Sequence, residues 1–191
     1  MNTCLIETSA RHVHITKEVR DALFGAGYTL TPIKDLSQPG EYACDEQVTV
    51  TGPKGSCKAR VVGPERSKTQ VELSLSDAQA LGIDAPLRES GYIDGTPGCT
   101  LTGLMGAEGT VELAQGCIIA QRHVHMKPED AEELGVVDKQ LVQVKNSNGY
   151  VYDNVLVRVK DYFNLRVHID VDEAVAGGIG RGECPQGEII A

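Results

Sequence analysis

Apolar and polar residues alternate with a period of two over 46–51, 59–62, 141–144 and 155–159, the pattern of half-buried strands. Turn signals bound these runs: Gly52-Pro53-Lys54-Gly55 in the first half, and Asn146-Ser147-Asn148-Gly149, with its Asn-Gly hairpin signal, in the second. Helical patterns are short. One opens at Thr16-Lys17-Glu18-Val19, where Thr16 can cap, and one runs from Ser76 to Gly82. A third opens at Lys127-Pro128-Glu129-Asp130, with Pro128 suited to the first helical position, and a fourth follows Asp170, which forms a capping-box pair with Glu173. Gly82 and Gly135 are placed to stop two of these helices. Many short strands with few short helices predict a mainly β fold of two small fused antiparallel β-barrel lobes with short capping α-helices.

The tetrapeptide Arg11-His12-Val13-His14 recurs word for word as Arg122-His123-Val124-His125, 111 residues later. Each copy is followed by one of the helical patterns. Two further segments share this grammar: Val71-Glu72-Leu73 precedes the helix that ends at Gly82, and Val167-His168-Ile169 precedes the helix after Asp170. A duplicated lobe accounts for all four. At ~150 residues per domain a chain of 191 amounts to about 1.3 domains, which two small lobes satisfy. The expected division is a first lobe over 1–90, a loop-rich connection over 91–109 that includes Gly91, Gly95, Gly98, Gly103, Gly106 and Gly109, and a second lobe over 110–191, with one shared active site.

Composition narrows the chemistry. A hydrophobic fraction of 41% with 24% charged residues is ordinary globular usage and excludes a disordered or coiled-coil chain. A net charge of −9, with no gross clustering of Lys and Arg, argues against nucleic-acid and anionic-membrane partners. With no Trp and two Phe, stacking platforms for bases lack material. No stretch approaches the ~18 apolar residues of a membrane span, and the N-terminus does not read as a secretory leader, which predicts a cytoplasmic protein. The six cysteines show no C-x-x-C spacing, so most read as reduced, partly buried thiols rather than a disulfide framework or zinc ribbon.

On a strand, residues i and i+2 share a face, so each H-x-H pair can offer two imidazoles to one metal while the intervening Val packs behind. The shared strand-then-helix context adds Glu72 and His168 as further ligand candidates. Five histidines and one carboxylate suit two metals with three protein ligands each, leaving open positions for substrate as catalytic sites require. Two divalent cations would offset part of the negative charge locally and favour a phosphate-bearing substrate.

Five ordered motifs carry a family resemblance over nearly the whole chain: Ser9-Ala10-Arg11-His12-Val13-His14; Gly63-Pro64-Glu65-Arg66-Ser67-Lys68-Thr69-Gln70-Val71-Glu72; Ser90-Gly91-Tyr92-Ile93-Asp94-Gly95-Thr96-Pro97-Gly98; Ile118-Ile119-Ala120-Gln121-Arg122-His123-Val124-His125-Met126; and His168-Ile169-Asp170-Val171-Asp172-Glu173-Ala174. With these the chain resembles the PduL-type phosphotransacylases, which exchange an acyl group between coenzyme A and inorganic phosphate. The resemblance implies a two-zinc site, with His12, His14 and Glu72 on one metal and His123, His125 and His168 on the other. It also implies that Arg66 holds phosphate, as the catalytic residue outside the metal shell, and that Thr8, Ser9, Ala10, Lys54 and Arg60 contact coenzyme A. Where the family often has Asn after the Asp-Glu-Ala run, this chain has Val175, a departure at a coenzyme A contact.

The implied substrates are propanoyl-CoA or acetyl-CoA and phosphate, in a setting such as propanediol degradation. Members from microcompartments carry an N-terminal extension, whereas eleven residues precede His12, which points to a free cytoplasmic enzyme. A homo-oligomer is compatible with all of this. Three alternatives stay open: a dinuclear metallohydrolase, a non-enzymatic zinc-binding module, and covalent catalysis with Cys44 or Cys99 carrying the acyl group.

Overall fold

A computed structural model describes residues 3–104 and 109–191. In chain order, β1 (Thr3–Ser9), β2 (His12–His14) and helix α1 (Lys17–Phe24) lead to β3 (Pro32–Asp35), β4 (Tyr42–Thr51), β5 (Ser56–Gly63) and β6 (Gln70–Leu73). Helix α2 (Leu75–Leu81) is followed by β7 (Leu87–Arg88), β8 (Cys99–Gly103), β9 (Thr110–Leu113), β10 (Cys117–Ala120) and β11 (His123–Met126). Then come α3 (Pro128–Leu134), β12 (Leu141–Asn146), β13 (Val151–Val159), β14 (Arg166–Asp170), α4 (Val171–Ala176) and β15 (Gln186–Ile190). No helix among the described residues is long and apolar enough to cross a membrane.

The chain forms two compact units. One comprises Met1–Ala10, Ser37–Pro39 and Gln121–Ala191; the other comprises Arg11–Leu36 and Gly40–Ala120. The first unit holds a closed six-stranded barrel in the order β1-β14-β11-β13-β12-β15. The second holds a nine-stranded curled sheet in the order β7-β10-β6-β2-β5-β4-β8-β9, with β3 beside β4. The mainly β reading with short capping helices holds, and the strand directions are mixed: β1 with β14, β11 with β13, β2 with β5 and β10 with both β6 and β7 run parallel. Parallel neighbours need long crossovers, which local turn signals do not reveal. The same cause moves β1 away from the lobe expected over 1–90, because its partners are β14 and β15. The expected loop-rich connection contains the strand β8, which buries Leu101 against β4 and β9 in a run flanked by glycines. Gly106 of that connection lies outside the described residues.

Each unit has its own core, built from the strands' inward faces. Val13, Val48, Val61, Val71 and Leu101 centre one, and Ile6, Val124, Val144, Val157 and Val167 centre the other, all fully buried. Each such side chain contributes about 1.5–3 kcal/mol on burial. The helix ends follow the sequence signals. Thr16 accepts from the Val19 amide, Asp170 and Glu173 form their reciprocal box, and Gly82 and Gly135 sit at positive φ, 70° and 69°, as C-caps. α2 begins one residue earlier than the pattern suggested, at Leu75, because Ser74 supplies a capping box with Asp77. Thus the strands that carry His12 and His14, His123 and His125, Glu72, and His168 each run directly into a short helix, which fixes where the strand stops.

Candidate active site

In the nine-stranded unit β2 lies between β5 and β6, and His12 stands directly opposite Glu72 in the antiparallel pairing. His12 and His14 share a face while Val13, fully buried, faces the core. The two Nε2 atoms are 3.2 Å apart; Glu72 Oε2 lies 3.6 Å from His12 Nε2, and Glu72 Oε1 lies 3.8 Å from His14 Nε2. One ligand atom from each of the three falls within 4.8 Å of the others, a spacing that could hold a metal ion. His14 Nδ1 is 3.2 Å from the Val62 carbonyl. A carbonyl only accepts, so Nδ1 carries the hydrogen and the Nε2 lone pair is left for the cluster. Glu72 Oε1 is oriented by the Gln70 amide at 2.6 Å and the Ser90 hydroxyl at 3.1 Å, and Gln70 in turn accepts from the Gly91 amide at 2.7 Å. Such outer partners fix a ligand's orientation.

The barrel unit repeats the plan. There β11 lies between β13 and β14, with His123 opposite His168. The three rings converge: His123 and His125 centroids are 4.5 Å apart, His123 and His168 stack at 5.2 Å, and His125 and His168 are 4.9 Å apart. His123 Nδ1 donates to the Gln121 carbonyl at 2.8 Å, which orients the ring. His125 Nδ1 is buried with no hydrogen-bond partner among the described residues. A buried orphan nitrogen costs roughly 1–3 kcal/mol, and a divalent cation would satisfy it; among the described residues, His12, His14 and Glu72 are the set whose ligand atoms are gathered closely enough to hold a metal. Glu7 on β1 adds a carboxylate 3.8 Å from His168 Nε2, held by the Ser37 hydroxyl at 2.5 Å and near Arg166 Nε at 3.3 Å. Nothing in the sequence pattern singled out Glu7, because its neighbours come from 30 and 159 residues away.

Burial keeps two of these histidines neutral. Burial above all, then His12 and Arg66, holds His14 well below the ordinary imidazole pKa of 6.5, and burial followed by His123 and His168 does the same for His125. The unfolded chain therefore takes up protons below pH 6.5 that the folded chain refuses, so this stability is whole above that pH and is lost as pH falls, at up to about 1.4 kcal/mol per pH unit for each residue. Metal-stripped protein is expected to melt at a clearly lower temperature at pH 5 than at pH 7.5. A melting temperature flat or rising toward pH 5 would refute the buried neutral histidines.

Arg66 lies in the loop between β5 and β6. Its amide donates to the Ile15 carbonyl at 2.9 Å, its guanidinium bonds Glu41 at 2.8 Å, and its charge reaches His14, depressing that residue's pKa. Of the residues expected at coenzyme A, Thr8 and Ser9 end β1 and Ala10 follows it; the buried Thr8 Oγ1 has no hydrogen-bond partner among the described residues. Lys54 sits in the β4–β5 turn with its stem against Gly82. Arg60, on β5 opposite His12, donates to the Cys44 and Asp45 carbonyls at 2.5 and 3.3 Å. Val175 is an exposed apolar residue on α4, 76% accessible. Burial pushes the Cys44 thiol up to about 11, and a hydrogen bond to Cys117 with burial raises that of Cys99. Neither supplies a thiolate at neutral pH, which removes the support for covalent catalysis.

The family model for phosphate propanoyltransferase matches residues 5–180. Phosphate propanoyltransferases of Enterococcus faecalis and Clostridioides difficile are each 50% identical to this chain, over 95% and 93% of it and 86% and 85% of their own length. That of Thermotoga maritima is 46% identical over 94% of this chain and 86% of its own. The chain belongs to the phosphate propanoyltransferase family, and it is an enzyme with phosphotransacylase activity.

Proposed function

We propose that the enzyme exchanges a short acyl group, propanoyl or acetyl, between coenzyme A and inorganic phosphate in the cytoplasm, with two zinc ions as its resident metals. The observation that carries this reading is the gathered His12, His14 and Glu72 cluster with Arg66 close enough to bias His14. His12, His14 and Glu72 would hold one metal and His123, His125 and His168 the other. When bound, the metals supply Lewis-acid polarisation of carbonyl and phosphate oxygens. Arg66 offers a planar two-donor fork matched to phosphate, and phosphate displaces Glu41 from it.

A phosphate oxygen attacks the thioester carbonyl, the C–S bond breaks, and coenzyme A leaves as thiolate and takes up a proton from solvent. The reacting nucleophile is the substrate itself, so the chain supplies positioning and charge stabilisation rather than a nucleophile or general base. Thr8, Ser9, Ala10, Lys54 and Arg60 are the proposed coenzyme A contacts. The test is thiol release from acetyl-, propanoyl- and butanoyl-CoA with and without phosphate. Release is expected only with phosphate and faster for the two shorter chains. Equal release without phosphate would make the enzyme a metallohydrolase, and no release under either condition would leave a zinc-binding module.

A further inference from the structure

The arginine that opens each repeated tetrapeptide makes the same pair of bonds in both units. Arg11 donates from Nε to the Lys58 carbonyl of β5 at 2.9 Å and from Nη1 to Asp77 Oδ1 of α2. Arg122 donates from Nε to the Asp153 carbonyl of β13 at 2.5 Å and from Nη1 to Glu173 Oε1 of α4 at 2.6 Å. Asp77 and Glu173 occupy the same place: each is the third residue of a capped helix, five residues after the third ligand, Glu72 or His168. Each also splits its oxygens alike, one to the arginine and the other to the helix's own N-cap amide, Ser74 at 3.5 Å and Asp170 at 2.9 Å.

The H-x-H strand is the middle strand in both cases, flanked by β5 and β6 or by β13 and β14. It is also short, three residues in β2 and four in β11, so few ladder bonds hold it in register. One guanidinium reaches past it on both sides, to the carbonyl of one neighbour and to the helix that ends the other. The acids it meets are mostly buried, 11% and 17% exposed at their side chains, where a charge-assisted bond is strongest. Two independent copies of one geometry, at residues that touch no proposed ligand atom, argue for a function rather than chance packing.

We infer that Arg11 and Arg122 are positioning residues that hold each H-x-H strand against its third-ligand strand, and so set metal retention one site at a time. The inference rests on the two-metal reading above. It is tested by loading the whole enzyme with zinc, challenging it with excess chelator and counting zinc released per chain with a coloured indicator. Wild type is expected to release two equivalents slowly. Arg11→Gln and Arg122→Gln should each release one equivalent about 10–100-fold faster while the other keeps the wild-type rate, and the double variant should release both fast. Glu173→Gln and Asp77→Asn, which keep an acceptor for the helix cap, should repeat the corresponding arginine variant and cover the case in which that variant fails to fold. Unchanged release rates with a melting temperature lowered equally in metal-free and loaded protein would make the arginines structural only and overturn the inference. Wild type that binds no zinc would overturn the metal reading and this inference with it.

Discussion

Arg66→Ala is expected to lower phosphate-dependent thiol release from propanoyl-CoA by about 10²–10³-fold or more, the usual loss when a positioned charge-stabilising donor is removed, with two zinc ions still bound. The guanidinium is 34% exposed and bonds Glu41 rather than any proposed ligand, so its removal leaves the strands and both donor sets intact. Three consequences separate a phosphate-binding role from a structural one. The loss should appear in KM for phosphate as well as in kcat, because the fork binds ground-state phosphate and the developing charge alike. Arg66→Lys should recover little, since one ammonium cannot match two phosphate oxygens. Glu41→Gln should lower KM for phosphate, because a neutral amide competes less well for the guanidinium than a carboxylate. Undiminished turnover in Arg66→Ala would remove Arg66 from the mechanism.

How much of this could be read in the chain itself follows from the range of each interaction. The repeated Arg-His-Val-His was visible as identity, and its consequence, two histidines on one face with Val13 and Val124 fully buried on the other, is a property of any strand. The capped helices were visible because Thr16, Asp170 and Glu173 bond within three or four residues. The closure of one sheet and not the other was not, nor the placement of β1 beside β14, since pairing between Leu5 and Arg166 leaves no local mark. The same limit hid the two arginine staples: Arg11 sits inside the most conspicuous motif, yet its partners lie 47 and 66 residues away. Glu72 and His168 fall between these cases. The helices that follow them marked them as candidates, while Gln70 and Ser90, which aim Glu72, became evident only in three dimensions.

The paired replacement His12→Ala, His14→Ala is expected to reduce bound zinc from two equivalents to one and to drop turnover by about 10³-fold or more, since an interaction set worth ~4 kcal/mol in the transition state is lost. His14 is 2% exposed, and deleting it also strips a partner from the Val62 carbonyl, so some destabilisation accompanies the loss. Glu72→Gln isolates the metal from the fold. A glutamine keeps the volume and still accepts the Ser90 hydroxyl through its carbonyl oxygen, but it is a neutral and weaker ligand. Its expected signature is a near-normal melting temperature for metal-free protein with faster zinc loss from one site. The matched pair His123→Ala, His125→Ala should remove the other equivalent, because its donors belong to a different sheet with its own core. Elemental analysis showing two zinc ions retained in either paired variant would sink the assignment of ligands. Loss of both from a single pair would instead show that the two metals bind only together, a coupling that two separately built donor sets do not by themselves require.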